Sequence, residues 1–218
     1  MIDVYLSRIR LDVSKRETQI ALVSPNKIHG AIESSFFSKQ ERNLWRIDTL
    51  GDSRYLLLLS KEKPDLQHVK KQFGFINDAD EIKEYDALLN RIQKNSVWQF
   101  RLVANPTHAI MNNGDKRGKV VAHVSEQYQM EWLYNKAKQN GFVVLNEGSC
   151  VVGSEWKSFY HAQAQPLHNQ NNRRVRLKQA TYQGILRVED EEEFRNALIN
   201  GIGRGKAYGM GLLTVMAL

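Results

Sequence analysis

A single cysteine, Cys150, stands in 218 residues. An internal disulfide is thereby excluded, and so is any zinc site built on several thiolates. Long apolar runs are lacking too. The longest covers 55–59, far short of the roughly 20 residues a membrane-spanning helix needs. Asp3, Arg8 and Arg10 interrupt the start of the chain, which therefore does not read as the apolar stretch of a signal peptide. No tract of low complexity points to disorder. A folded, soluble, cytoplasmic protein with no membrane partner is expected. Acidic residues are missing from 156–188 and again after Glu193. This absence is the informative one.

What fills the acid-free stretches is cationic. Residues 156–188 hold Lys157, Arg173, Arg174, Arg176, Lys178 and Arg187; Arg195, Arg204 and Lys206 follow. The formal net charge is +7 and the pI about 9.4. A surface of one sign concentrates polyanions and neutralises phosphates, so the placement of charge points to a nucleic-acid partner. The acids crowd into 189–193 instead, in the first turn of a predicted helix, where the helix dipole accounts for them.

The patterning alternates strands and helices twice. In the first half, 4–13 alternates as a strand, and Ser24-Pro25 marks a helix start with Ser24 as N-cap and Pro25 at the first helical position. That helix is predicted to run to about 37. Strands follow at 45–49 and 54–60 around a Gly51-Asp52 turn, then a helix over 65–73 and a strand within 83–92. In the second half, 97–104 reads as a strand and 125–140 as a helix stopped by Gly141. Strands at 142–152 and 180–188, a helix over 190–200 and a last strand at 212–218 complete it. The fold class is α+β: two tandem ferredoxin-like (RRM-like, βαββαβ) domains, 1–94 and 97–218.

Between the last helix and the last strand lies a loop, 201–211, with glycine at Gly201, Gly203, Gly205, Gly209 and Gly211 around Arg204 and Lys206. Glycines there permit positive φ and close approach of another backbone. Flanking two cations, they favour phosphate contact over a bare turn. The loop is not a Walker motif, since Asn200 occupies the first glycine position and Ala207 the Ser/Thr position. Arg173, Arg174, Arg176 and Lys178 follow polar turn residues; Arg174, Arg176 and Lys178, at spacing two, share one face of a strand that could track phosphates. Trp45, Trp98 and Trp156 read as core or interface residues rather than base-stacking platforms. Close His or carboxylate pairs of the kind expected at a local metal site are lacking, so neither metal nor cofactor is expected.

The loop's spacing (Gly-Ile-Gly, five residues, Gly-Met-Gly, then an apolar strand) resembles the signature of the repeat-associated RNA-binding superfamily of CRISPR systems. With Tyr5-Leu6-Ser7-Arg8 and Arg101-Leu102-Val103-Ala104-Asn105-Pro106, the chain looks most like the CasE (Cse3) branch of type I-E systems. The resemblance implies a metal-independent endoribonuclease that cuts CRISPR precursor RNA at repeat stem-loops and stays with its product among other subunits of a surveillance complex. It implies attack by the ribose 2′-hydroxyl, leaving a 2′,3′-cyclic phosphate. His29 matches the family's catalytic histidine, on the first helix after the first strand. Its place near a helix N-terminus disfavours the imidazolium. The tyrosine that the family often carries three residues earlier is Asn26 here, which exchanges no proton. Adjacent Lys27 is read two ways, as a cation or proton donor at the phosphorane or as a solvated lysine. The basic strand and glycine loop are implied to bind RNA. Two other readings stand beside this one: a non-catalytic RNA-binding subunit of the superfamily, and a ferredoxin-like protein binding a phosphorylated small molecule.

Overall fold

The computed structural model describes residues 3–36, 42–111, 118–160 and 174–218, without the side chain at 146. The chain forms two compact units. One comprises Met1–Arg91 with Ser158–Val175 and Lys206–Gly209; the other comprises Ile92–Lys157, Arg176–Gly205 and Met210–Leu218.

In the first unit, β1 (Tyr5–Leu11) lies between β3 (Ser53–Ser60) and β4 (Glu81–Glu84), with β2 (Leu44–Leu50) outside β3. All three pairings are antiparallel. Alternation along β1 sends Ile9 and Leu11 into the core. Arg8 and Arg10 are paired on their exposed sides with Glu81 and Asp78, at 2.6 and 3.0 Å. Three helices carry the rest of that core: α1 (Arg16–Val23), α2 (Pro25–Glu33) and α3 (Gln67–Phe73). Ile28 and Ile32 of α2 and Val69 and Phe73 of α3 pack with Leu56, Leu58 and Trp45. Each fully buried side chain of this size stabilises by roughly 1.5–3 kcal/mol.

Three expectations for this half need correction. The helix begun at Pro25 ends at Glu33 rather than near 37, and residue 37 lies outside the described residues. A helix precedes it that the periodicity did not reveal, because α1 buries only Thr18 and Ala21, too little apolar surface for a pattern. Ser24 is the junction of the two helices: its N–H closes α1 on the Ile20 carbonyl and its side chain makes no cap bond. Within 83–92 the strand stops at Glu84, and a short helix, α4 (Asp86–Leu89), follows.

The second unit repeats the plan. Its central strand β5 (Val97–Ala104) lies between β10 (Leu213–Ala217) and β9 (Arg174–Val188), and β8 (Phe142–Tyr160) lies beyond β9. Helices α5 (Glu126–Gln139) and α6 (Glu191–Asn200) complete it. Asp190 caps α6 by accepting from the Glu193 N–H at 3.0 Å. Gly141 follows the end of α5 at φ +72°; a Cβ there would stand 2.5 Å from the Asp190 carbonyl oxygen. An additional hairpin, β6 (Thr107–Ile110) with β7 (Lys119–Ala122), was not expected. Its strands are short and leave their apolar side chains partly exposed, so neither alternation nor length marks them. In both sheets the unit's first strand sits between its third and fourth, with the second at the edge. That is the ferredoxin-like order predicted, twice over. Among the described residues no helix is long and apolar enough to cross a membrane.

Candidate functional site

Helix α2 turns Ile28, Ala31 and Ile32 into the core of the first unit, which leaves Lys27 exposed and His29 half-buried. The His29 Nδ1 stands 3.8 Å from Glu33 Oε1, one turn further on. Asn26 has its side-chain amide oxygen, Oδ1, buried and without a hydrogen-bond partner among the described residues. A 3₁₀ turn, Lys206–Tyr208, from the middle of the glycine loop packs against both α2 and β2. It is held by Gly209, whose φ is +78° and where a Cβ would come within 2.7 Å of the Trp45 indole. The Tyr208 ring meets Phe159 edge-on at 4.8 Å. Burial, and then the nearby Arg42, hold the Lys206 ammonium below the ordinary lysine pKa. The segment read as an RNA-holding loop therefore shares a unit, and a packing contact, with the helix of His29.

The remainder of the loop belongs to the second unit. All five glycines adopt positive φ, from +71° at Gly201 to +94° at Gly211. The spacing of the signature is thus a backbone requirement. Several of the loop's amides are already engaged: Gly201 donates to Ala197, Ile202 to Gly211 and Gly211 to Val103, at 2.9, 2.9 and 2.6 Å. Within the first unit Gly209 donates to Lys206 at 3.3 Å. Gly203, at φ +82°, lies where a Cβ would stand 3.0 Å from Trp132. Gly205, at φ +85°, packs beside Met210. The glycines shape the loop, and the side chains of Arg204 and Lys206 present its charge. Arg204 is exposed and, with Gly203, His108 and Lys136, lines a cavity of about 230 Å³.

On the basic strand β9, Arg174 and Arg176 are exposed, as spacing two implied, and Arg174 Nε donates to Ser158 Oγ at 2.6 Å. Lys178 shares that face with Arg176 but is buried, at 6% exposure. Trp156 departs further. Trp45 and Trp98 are core residues as expected, but Trp156 is 41% exposed. Arg176 and Lys178 lie over its ring, at 4.2 and 5.6 Å. The indole occupies a strand position whose apolar cover is supplied by cations, which periodicity does not distinguish from a core position. Arg173, His161 and His168 lie outside the described residues.

His68 is exposed on α3. His108 and His123 pack ring to ring at 4.4 Å. Burial, and then His108, depress the His123 pKa. This pair had no signature, since the β6–β7 pairing alone brings the two rings together. Among the described residues, no group of three or more His, Cys, Asp or Glu side chains is gathered for a metal ion.

Comparison with known proteins matches this architecture. A family model described as CRISPR associated protein covers residues 4–216. The CRISPR-associated endoribonuclease Cse3 of Thermus thermophilus is 24% identical over 219 residues, 97% of this chain and 99% of that protein. A structure of CRISPR endoribonuclease Cse3 bound to 19 nt RNA has a TM-score of 0.80 at 20% identity, over 98% of this chain and 99% of that one. A chain of a CRISPR RNA-guided surveillance complex, pre-nicking, has a TM-score of 0.70 at 21% identity, over 98% of this chain and all of that one. The branch read from Tyr5-Leu6-Ser7-Arg8, Arg101-Leu102-Val103-Ala104-Asn105-Pro106 and the glycine spacing together is the one named for the Thermus thermophilus relative. With the family model spanning nearly the whole sequence, the chain belongs to the CRISPR-associated protein family.

Proposed function

We propose that this protein is a metal-independent endoribonuclease that cuts CRISPR precursor RNA at repeat stem-loops and retains its product as a subunit of a surveillance complex. The observation that carries the reading is the packing of the Lys206–Tyr208 turn, from the terminal glycine signature, against the helix that holds Lys27 and His29. The similar Cse3 structure contains RNA, and the similar surveillance-complex chain works among other subunits. Both roles are extended here to this chain, as is a cytoplasmic location.

The chemistry asks for three things. The ribose 2′-oxygen attacks the adjacent phosphorus, its proton passes to a base, and the bond to the 5′-oxygen breaks as that oxygen gains a proton. A 2′,3′-cyclic phosphate and a 5′-hydroxyl remain. His29 is assigned one proton transfer, a role typically worth about 10²–10⁴-fold. Lys27 and Lys206 neutralise the phosphorane, where fixed charge acts most strongly. The N-terminal domain, 1–94, supplies the acid–base helix. The C-terminal domain, 97–218, supplies Arg173, Arg174, Arg176 and Lys178 and the loop residues Gly201, Gly203, Arg204, Gly205, Lys206, Gly209 and Gly211. The narrow major groove of A-form RNA admits few side chains, so stem shape and flanking unpaired nucleotides set specificity.

Incubation with the cognate repeat hairpin in excess EDTA tests the proposal, with binding measured in parallel. Cutting to a 2′,3′-cyclic end is expected. RNA left intact both with and without EDTA, under tight binding, would sink the nuclease reading and leave a second one, a non-catalytic RNA-binding subunit, which Asn26 favours because its amide exchanges no proton. A third reading, a phosphorylated small molecule at the loop, is separated by salt: several phosphate contacts give RNA binding a steep loss of affinity as salt rises.

A further inference from the structure

Four tryptophans are present, and three of them, Trp45, Trp98 and Trp132, are buried at 2, 4 and 6% exposure. Trp156 is the exception, at 41%. Leaving a large indole half in water forgoes burial that would stabilise the fold, so its surroundings need a reason. The Arg176 guanidinium carbon lies 4.2 Å from the ring centroid. The Lys178 ammonium lies 5.6 Å from it, on a residue otherwise buried. The neighbouring carboxylate does not compete for these cations: Glu155 is paired with Lys157 at 2.9 Å. Arg176 itself forms no ion pair or hydrogen bond among the described residues, and its side chain is exposed.

A guanidinium stacked on an indole uses its face and keeps its edge. All five N–H donors stay available in a fixed plane, matched to the two oxygens of a phosphate. A free arginine must give up rotamer freedom when it binds; one already held over a ring has less to lose. Resting on the RNA-binding reading above, we infer that Trp156 is a positioning residue for RNA recognition. It holds Arg176 in the orientation that grips a backbone phosphate of the RNA stem. Lys178 closes the other cationic contact to the ring and keeps the indole from turning away.

Geometry and charge have different signatures in binding. Removing Trp156 leaves the positive charge in place, so affinity falls while its salt dependence stays. Removing Arg176 removes one phosphate contact, so affinity falls and the slope of log affinity against log salt drops by about one. The experiment is a double-mutant cycle on the full chain and the repeat hairpin, with dissociation constants measured at several salt concentrations. Trp156→Leu is expected to weaken binding by roughly threefold to tenfold with the slope unchanged. Trp156→Phe, which keeps an aromatic face, should recover part of the loss. Arg176→Lys keeps the charge but not the planar fork, and should behave like Trp156→Leu. In an Arg176→Ala background, Trp156→Leu should cost nothing further. Cleavage at saturating RNA should be unchanged in the Trp156 variants, so the loss appears in KM and not in kcat.

Three outcomes overturn the inference. Trp156→Leu binding like the parent chain would show that the stack does not matter. Full additivity of the two substitutions would mean that Trp156 touches RNA itself, as a base-stacking surface, rather than through Arg176. Failure of the parent chain to bind the hairpin would remove the RNA reading, and this inference with it; the parent measurement therefore distinguishes the two failures.

Discussion

His29 sits half-buried on α2 beside Glu33, and the turn bearing Lys206 packs on the same helix. Its candidacy came from a resemblance; the sequence by itself shows an ordinary helix histidine. Gly209 is a case where the backbone demand is visible. At φ +78° and with a Cβ destined to stand 2.7 Å from Trp45, Gly209→Ala should destabilise by about 2–4 kcal/mol, combining left-handed strain and overpacking. Chemical denaturation checks this. His123 makes a pH prediction. Burial lowers its pKa below the ordinary 6.5, so the unfolded chain takes up the proton first as pH falls. The ring's contribution to stability is complete above about pH 6.5 and is lost as pH falls through that value towards the depressed one. His123→Asn should therefore flatten the fall in melting temperature between about pH 7.5 and 5.5. An unchanged pH profile would remove His123 from the account. The exposure of Trp156 and the burial of Lys178 were not legible in the sequence, because alternation reports facing without reporting what covers the face. A stacked guanidinium leaves no periodic trace.

Elements were legible where a hydrophobic period met a stop signal. The strand at Val97–Ala104 matches its predicted bounds. Helix α5 begins after Ser125 and ends before Gly141, as its flanking residues indicated. Where burial is thin the signal vanished: α1 hides only Thr18 and Ala21, and the β6–β7 hairpin stands as a two-stranded sheet. Asp190 holds the Glu193 N–H, and acids follow at Glu191, Glu192 and Glu193. Asp190→Ala should cost about 0.5–2 kcal/mol in thermal or urea unfolding, without changing RNA affinity, since α6 carries none of the proposed contacts. A loss of RNA affinity beyond that expected from unfolding would place α6 in the interface.

At the scale of the whole molecule, the twofold β-α-β-β-α-β order was readable because each half repeats the same succession of patterns, and both sheets show it. What sequence order concealed is how the chain distributes its C-terminal loop. Residues Lys206–Gly209 belong with the first unit, while Arg176–Gly205 and Met210–Leu218 belong with the second. A glycine signature near the end of the chain thus contributes a cationic turn to the packing around a helix near its beginning, a contact no linear spacing encodes. Cleavage of the repeat hairpin decides whether this chain is an RNA-cutting enzyme that needs no metal and relies on His29. The repeat hairpin is incubated in excess EDTA with the parent chain and with His29→Ala, and cut ends and bound fraction are read together. The account predicts 2′,3′-cyclic ends from the parent chain, a loss of roughly 10²–10⁴-fold in cleavage rate for the variant, and equal binding by both. Equal cutting by the variant, or cutting by the parent chain that stops when metal is chelated, would contradict it.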